Sequence, residues 1–209
     1  AFRLGSVGQC IPGTELALAD DGEVVARGPH VFAGYLHNEA ATAKTVNADG
    51  WLQTGDIGRI DDDGYLYITG RKKEIIITAG GKNLSPEKIE NALKMSPYIK
   101  EAIAIGDRRK FVSALVQIDL DATGDWATRR ELTYTSFEDL TGKDAVRALI
   151  DSEIKTLNER LVRVEQVRSF RLLPKELHQD DGEMTATQKV KRSAVTEKFN
   201  DLIETMYRG

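Results

Sequence analysis

The sequence is poor in cysteine and lacks long apolar runs. Cys10 is the single cysteine among 209 residues, so no internal disulfide can form, which is typical of proteins from reducing, intracellular compartments. No apolar run approaches the roughly 20 residues that span a bilayer, and no signal-peptide pattern is visible. We therefore expect a cytoplasmic location, and the sequence gives no indication of peripheral membrane association.

An excess of positive charge is also missing. Lysine and arginine number 29 against 33 aspartate and glutamate residues, which gives a formal net charge of −4. Because nucleic acids bind to basic surfaces, this balance disfavours a nucleic-acid-binding function. The three histidines, His30, His37 and His178, do not have the spacing of metal ligands, so we predict no metal site.

The residues that are present predict an α+β protein whose pattern changes near the middle. Residues 1–72 form short strands and turns, with two Asp-Asp-Gly or Asp-Asp-Asp-Gly turns that favour hairpins because Asp-Gly tolerates positive φ. A short helix is predicted at 38–46, with Asn38 as its N-cap. Residues 73–209 predict a separate, small α+β domain with a sheet of about three strands and packed helices.

Helical and strand periodicities define the elements of this second domain. Ser85 and Pro86 suit the first residues of a helix. Apolar residues at i, i+3 and i+4 spacing predict a longer helix at 143–162 and a single final helix at 193–207. Strands are predicted at 101–105, 111–118 and 167–173, and residues 120–142 are Thr-rich and ambiguous.

Two segments before residue 73 carry side chains that suit nucleotide chemistry. Asp56 follows a Thr-Gly turn, and a carboxylate there can accept two hydrogen bonds from a vicinal diol such as a ribose. Arg71 offers a flat fork of donors to a hydroxyl pair, a carboxylate or a phosphate. Taken alone, the first segment is better explained by a turn at a strand end, and the second by a solvated run of charge at the start of a strand.

Two later segments are loops with candidate ligand contacts. Gly80 and Gly81 allow close approach of a ligand to the backbone, and Lys82 follows them. The GxxxxGK[ST] spacing is absent, so a Walker-type phosphate loop is unsupported. Lys189 lies in a polar loop and could deliver a point charge to a carboxylate or phosphate. The alternatives are a plain connecting loop and a surface basic patch.

Taken together, six segments resemble the adenylate-forming superfamily of acyl-CoA synthetases, adenylation domains and luciferases. They match that family in order and spacing: GSVGQCIP (5–12), GPHVFAGY (28–35), DGWLQTGD (49–56), DGYLYITGRKKE (63–74), GGKNLSPEKIE (80–90) and TATQKVKR (185–192). A lysine at the hinge position and the TATQKVKR segment look most like long-chain fatty-acid–CoA ligases.

The resemblance implies a two-step reaction and a role for each candidate. A fatty acid reacts with ATP, accompanied by Mg²⁺, to give acyl-AMP and pyrophosphate, and CoA then displaces AMP to give a thioester. Asp56 and Arg71 match the residues that bind the ribose hydroxyls. Lys189 matches the catalytic lysine of adenylation. Lys73 falls at the hinge, where other members carry aspartate.

The remaining matches concern the second step of the reaction, and one residue departs from the family pattern. Gly80 and Gly81 match the loop that lies along the pantetheine of CoA, and Lys82 lies beside it. Many members have glycine immediately before the catalytic lysine, whereas this sequence has Gln188. We nevertheless keep Lys189 as the predicted catalytic residue.

The resemblance also implies which part of the family's proteins this chain represents. The chain starts at Ala1 without methionine, and the family's phosphate loop, acyl pocket and adenine motif are not among its residues. We therefore expect it to comprise the end of a large N-terminal domain, about residues 1–72, and a whole C-terminal domain, and to be inactive alone.

Three alternatives remain open at this point. A fatty-acyl-AMP ligase would pass its acyl group to a carrier protein. A peptide-synthetase adenylation domain would continue into a carrier domain. A non-catalytic interaction domain would keep only the fold.

Overall fold

The computed structural model describes residues 3–208, and it confirms the α+β class. The chain divides into two compact units after Ile75. The sequence-based domain limits at residues 1 and 209 lie outside the described residues, and the limit between residues 72 and 73 stays a prediction.

The first unit is built on a five-stranded antiparallel sheet. Its elements are β1 (Gly8–Gln9), β2 (Glu15–Leu18), β3 (Glu23–Arg27), α1 (Glu39–Thr45), β4 (Leu52–Ile60), β5 (Tyr65–Arg71) and a 3₁₀ turn (Lys72–Glu74). The strand order is β1-β5-β4-β3-β2, so both predicted hairpins, β2–β3 and β4–β5, are confirmed.

Local side-chain chemistry explains these elements. The Asp-Gly turns place Gly22 and Gly64 at φ of +82° and +79°, the left-handed region that glycine adopts without steric cost. The Asn38 side chain accepts the N–H of Ala41 at 3.0 Å, which is the predicted N-cap of α1.

The second unit contains a three-stranded mixed sheet covered on both faces. Its elements are β6 (Ile76–Ile77), β7 (Asn83–Leu84), α2 (Pro86–Leu93), β8 (Ile99–Ile105), β9 (Val112–Ile118), α3 (Leu120–Thr128), α4 (Phe137–Gly142), α5 (Asp144–Asn158), β10 (Val167–Leu172), α6 (Arg192–Lys198) and α7 (Asn200–Thr205). The central strand β9 is antiparallel to β8 and parallel to β10, while β6 and β7 pair separately.

Burial of β9 on both faces sets the positions of the helices. Ala114 and Val116 join an apolar cluster with residues of α2, α3, α4 and α5. Leu115, between them, joins a second cluster with Val195 of α6 and Ile203 of α7. Alternate side chains of a strand point to opposite faces, so the helices enclose β9 from both sides.

The structure resolves one ambiguous region and corrects one sequence-based expectation. Residues 120–142 contain α3 and α4, whose N-caps are Asp119 and Ser136. The single helix expected at 193–207 is two helices that meet at Phe199, whose φ of −104° and ψ of 23° depart from helical values. This local change accompanies the packing of both helices in one apolar cluster.

Among residues 3–208, no helix is both long enough and apolar enough to cross a bilayer.

Candidate functional site

Asp56 and Arg71, the predicted ribose-binding pair, face each other across β4 and β5. The Arg71 Nε atom lies 2.8 Å from Asp56 Oδ1, with 26% of the Asp56 side chain and 59% of the Arg71 side chain exposed. The arrangement offers an acceptor and a planar set of donors side by side, both accessible to a ligand.

A β-bulge creates this pairing. Gly58 faces Ile68, but the residue before it, Ile57, faces Gly70, so Thr69 is an extra residue on β5. Without this shift, Asp56 would face Gly70. Gly58 suits the crowded position, since an added Cβ would lie 2.7 Å from the Val24 side chain and 2.8 Å from the Tyr67 carbonyl oxygen.

Backbone contacts fix Asp56 on the strand. Its N–H donates to Thr54 Oγ1 at 3.1 Å, and that hydroxyl donates to the Val24 carbonyl at 2.6 Å. Gly55 has a φ of +74°, and its N–H donates to Glu23 Oε1 at 2.8 Å. Each residue of the Thr-Gly-Asp turn is therefore held by the adjacent strand or by its neighbour.

Glu23 is a residue that sequence reasoning missed. Its side chain is only 5% exposed, and besides Gly55 it contacts Lys72 Nζ at 2.7 Å. Lys72 also pairs with Asp21 at 2.6 Å, and these bonds, first to Asp21 and then to Glu23, raise the pKa of Lys72. Glu23 thus links the turn before Asp56 to the residue after Arg71. No sequence motif marks it, because the link depends on strand packing.

Lys73, the predicted hinge, lies between two anchored residues. It is exposed in the 3₁₀ turn, immediately after Lys72. Ile76, three residues later, is 4% exposed and packs in the core of the second unit. The linker between these anchors is therefore short.

The predicted CoA loop is a tight turn closed by its own backbone. Gly81 N–H donates to the Thr78 carbonyl at 2.8 Å, and Gly81 has a φ of +73°. Thr78 and Lys82 exchange further bonds, with Lys82 N–H donating to Thr78 Oγ1 at 3.1 Å. Gly80 is exposed, and an added Cβ would have only Thr78 Oγ1 nearby, at 3.9 Å.

Neighbouring backbone braces this loop from outside. Ala79 N–H donates to the Arg109 carbonyl at 2.9 Å, and Ile77 N–H donates to Asp107 Oδ1 at 3.1 Å. The loop that carries Gly80 and Gly81 is consequently held at its base while its outer surface stays open.

Lys189 lies in a small hairpin turn. Met184 and Val190 pair as an isolated antiparallel bridge, and Thr185 N–H donates to the Lys189 carbonyl at 2.8 Å. The Lys189 N–H donates to Thr185 Oγ1 at 3.0 Å. Gln188 has a φ of +59°, and the Lys189 residue is exposed. The backbone that carries the predicted catalytic lysine is therefore ordered by several hydrogen bonds.

A buried carboxylate supports the base of this hairpin. Glu183 accepts the N–H of Lys191 on its carbonyl at 2.8 Å, and its side chain is 1% exposed. Lys198 and Lys175 lie 2.7 and 2.9 Å from its carboxylate oxygens. Burial acts to raise the pKa of Glu183, but these lysines and the His178 N–H outweigh it, so the pKa lies below the ordinary 4.5.

The predicted residues thus fall into three groups. Asp56 and Arg71 are in contact in the first unit. Gly80, Gly81 and Lys82 share one loop of the second unit, and Lys189 lies in a separate hairpin there. The described residues contain no group of three or more His, Cys, Asp or Glu side chains arranged to hold a metal ion.

The family model for the AMP-binding enzyme C-terminal domain matches residues 73–209. The match covers more than half of the chain, so the chain belongs to the AMP-binding, adenylate-forming enzymes and includes their C-terminal domain.

Curated relatives narrow the comparison. The long-chain-fatty-acid–CoA ligase FadD15 of Mycobacterium tuberculosis is 46% identical over 207 residues, covering 99% of this chain and 34% of that protein. The long-chain-fatty-acid–CoA ligase ACSBG1 of Bos taurus is 37% identical over 230 residues, covering 99% of this chain and 32% of that protein. The chain spans about a third of the length of the curated relatives it matches.

Solved structures share the fold. The adenylation domain of a carboxylate reductase from Mycobacterium chelonae matches with a TM-score of 0.78 at 20% identity, covering 94% of this chain and 31% of that one. The o-succinylbenzoate CoA synthetase MenE of Bacillus subtilis, in complex with an acyl-adenylate, matches with a TM-score of 0.65 at 25% identity, covering 92% and 36%.

Proposed function

We propose that this chain is the C-terminal part of a long-chain fatty-acid–CoA ligase, which activates a fatty acid with ATP and transfers it to CoA. The observation that carries the proposal is the paired Asp56 and Arg71 in a chain 46% identical to such a ligase along 99% of its length.

Asp56 and Arg71 bind the ribose of the nucleotide. The Asp56 carboxylate accepts hydrogen bonds from the two ribose hydroxyls, and Arg71 donates to the same diol. Their cross-strand ion pair, at 2.8 Å, holds both side chains in place before the nucleotide binds. Glu23, through Gly55 and Lys72, keeps the two ends of this arrangement in position.

Lys189 acts in the first step. A carboxylate oxygen of the fatty acid bonds to the α-phosphorus of ATP, and the bond from that phosphorus to the pyrophosphate oxygen breaks. The ammonium group of Lys189 contacts the carboxylate and the α-phosphate and stabilises the negative charge that gathers between them.

The loop with Gly80, Gly81 and Lys82 acts in the second step. The CoA sulfur bonds to the acyl carbon, AMP leaves with the oxygen of the mixed anhydride, and the thiol proton passes to solvent. The open outer surface at Gly80 lets the pantetheine chain lie against the backbone. Between the two steps, the second unit rotates about Lys73, which removes Lys189 from the reacting groups and brings this loop to them.

The proposal is tested with Lys189→Ala in the complete enzyme, meaning a protein that joins this chain to the upstream part present in its relatives. Removing the charge should lower fatty-acid-dependent pyrophosphate exchange by about 100-fold or more, while thioester formation from supplied acyl-AMP stays within about threefold. Lys191→Ala, which removes a neighbouring exposed lysine, is the matched control and should change neither rate.

Two outcomes would overturn parts of the proposal. Equal loss of both half-reactions in Lys189→Ala would contradict a role confined to adenylation. Transfer of the acyl group to a carrier protein, with none to CoA, would instead indicate a fatty-acyl-AMP ligase.

A further inference from the structure

Glu90 and Arg192 form a contact that links α2 to the start of α6. Arg192 Nη2 donates to Glu90 Oε1 at 2.6 Å, and Arg192 Nη1 donates to the Ala104 carbonyl at 3.0 Å. The same Glu90 oxygen accepts the N–H of Ala104 at 2.8 Å. A guanidinium, a carboxylate and both polar groups of one β8 residue thus close a ring of hydrogen bonds.

Burial makes this contact more persistent than a surface ion pair. The Glu90 side chain is 13% exposed and the Arg192 side chain 26% exposed. Charge-assisted hydrogen bonds in such partly buried positions compete less with water than exposed pairs do. The ring also has fixed geometry, since the Ala104 peptide groups belong to the central sheet.

The contact joins the elements that follow two loops of the proposed function, the Lys189 hairpin and the loop with Gly80 and Gly81. Arg192 follows Lys189 by three residues, a stretch of chain that spans at most about 11 Å. Glu90 lies on α2, the helix that follows the loop with Gly80 and Gly81. An ion pair therefore connects the residue that follows the Lys189 hairpin to the helix that follows the Gly80–Lys82 loop.

We propose that Glu90 and Arg192 are positioning residues that hold the Lys189 hairpin in a fixed place relative to α2, so that both loops move as one body. This inference rests on the proposed role of Lys189.

The Lys189 hairpin depends on the Glu90–Arg192 contact more than α2 does. Ile89 and Leu93 of α2 are fully buried, so α2 stays in place when Glu90 changes. The hairpin is polar, and Lys189 at its turn is exposed, so it depends on hydrogen bonds and ion pairs. Breaking the contact should loosen the hairpin and leave the Gly80–Lys82 loop unchanged.

The first test measures amide hydrogen exchange in the 209-residue chain itself. In Arg192→Met, exchange at Lys189 and Lys191 should accelerate about tenfold or more, because local opening becomes easier. Glu90→Gln should have a smaller effect, since an amide oxygen still accepts both bonds but carries no charge. Exchange at Gly81 should not change in either variant.

A matched control separates this contact from general loss of charge. Glu101→Gln removes a carboxylate from β8, where it pairs with Lys94 at 3.2 Å at the end of α2. Exchange in the hairpin should stay at the wild-type rate in this variant. Unchanged exchange at Lys189 and Lys191 in Arg192→Met would overturn the positioning role.

The second test separates the half-reactions in the complete enzyme. Arg192→Met should lower kcat for adenylation about 10- to 100-fold, because a displaced lysine loses its alignment, with KM for ATP within about threefold. Thioester formation from supplied acyl-AMP should be spared. Glu90→Gln/Arg192→Met should be no worse than Arg192→Met, as expected for partners in one contact.

Failure of this inference differs from failure of the proposed function. If Lys189→Ala leaves adenylation intact, the proposed function is wrong whatever the exchange rates are. If Lys189→Ala abolishes adenylation but Arg192→Met does not slow it, the positioning role is wrong. Should Arg192→Met fail to fold, Arg192→Lys, which can reach Glu90 or Ala104 but not both, should give an intermediate loss in both tests, and wild-type behaviour would overturn the inference.

Discussion

Gly80 and Gly81 are adjacent residues that the backbone constrains differently. Gly81 needs the left-handed region at φ +73°, whereas Gly80 lies outside it and has open space where a Cβ would be. We expect Gly81→Ala to lower the free energy of unfolding by about 1 kcal/mol and Gly80→Ala to leave it within about 0.5 kcal/mol. Urea denaturation of the chain measures both.

The same pair tests the role of the loop in binding CoA. Since Gly80 has no conformational reason to be glycine, a methyl group there should act mainly on the ligand, and Gly80→Ala should raise KM for CoA in the complete enzyme. An unchanged KM in a variant of unchanged stability would contradict contact between this loop and CoA.

Gln188 is another residue whose backbone explains a sequence feature. Its φ of +59° is unfavourable for a residue with a side chain, whereas glycine adopts this conformation without steric cost. Gln188→Gly should stabilise the chain by about 0.5–1 kcal/mol, the strain relieved less the added entropy of the unfolded chain. Ala186→Gly, in the same turn, should destabilise it. The opposite order in thermal unfolding would argue against strain at Gln188.

At the scale of elements, the hairpin with Lys189 depends on the charge of Glu183. Its folded-state pKa lies below 4.5, so its contribution to stability is present at neutral pH and is lost as the pH falls below 4.5 through the folded-state pKa. Glu183→Gln should cost about 2 kcal/mol at pH 7, because two lysines lose a buried partner, and less at pH 3.

A second carboxylate in the same cluster gives the control. Asp181 also pairs with Lys175, but its side chain is 45% exposed. Asp181→Asn should leave the free energy of unfolding nearly unchanged at either pH, because water screens an exposed ion pair. Denaturant unfolding at pH 7 and pH 3 measures the free energy of unfolding of each variant. If Glu183→Gln lowers it equally at both pH values, the charge of Glu183 does not support the hairpin.

Elements with strong local signals were predictable from the sequence. The Asp-Gly hairpins and the N-caps at Asn38 and Ser85 follow from turn and capping chemistry and are confirmed. Helices α3 and α4 were missed, because threonine and aspartate are weak helix formers and apolar packing decides their structure. The same packing accompanies the break at Phe199.

The sequence motifs name candidate site residues, but they do not show the contacts that those residues make. Simple extension of the β4–β5 hairpin from its turn places Gly70 opposite Asp56, and only the bulge at Thr69 brings Arg71 there. Glu23 and the Glu90–Arg192 contact join residues 32 to 102 positions apart in sequence, and no local pattern reveals them. Motifs single out candidate residues for ligand contact, whereas tertiary packing determines which other residues hold those candidates in place.

At the scale of the whole molecule, the linker around Lys73 connects the two units, and the residues on both sides of Lys73 are held firmly in their own units. Lys72 is held by Asp21 and Glu23, and Ile76 is buried in the second unit. The match to the C-terminal domain family begins at residue 73, in this same linker. Few residues are therefore available to absorb a rotation between the units, which is typical of a hinge.

Restricting that linker should separate the two half-reactions. Lys73→Pro fixes φ near −65° at residue 73 and disfavours helical angles at Lys72, so the linker can adopt fewer conformations. In the complete enzyme we expect one half-reaction to fall at least about tenfold more than the other, since only one orientation of the second unit stays accessible. Pyrophosphate exchange and thioester formation from supplied acyl-AMP measure the two.

Lys73→Ala is the matched control for that prediction, because it removes the same side chain without restricting the backbone. Both half-reactions should stay close to wild type in this variant. If Lys73→Pro lowers both half-reactions equally, the linker is not the pivot. If Lys73→Ala gives the same imbalance as Lys73→Pro, the lysine side chain acts directly on one step. An imbalance found with proline alone leaves backbone rotation at residue 73 as its cause, because the two variants differ only in what the backbone can do.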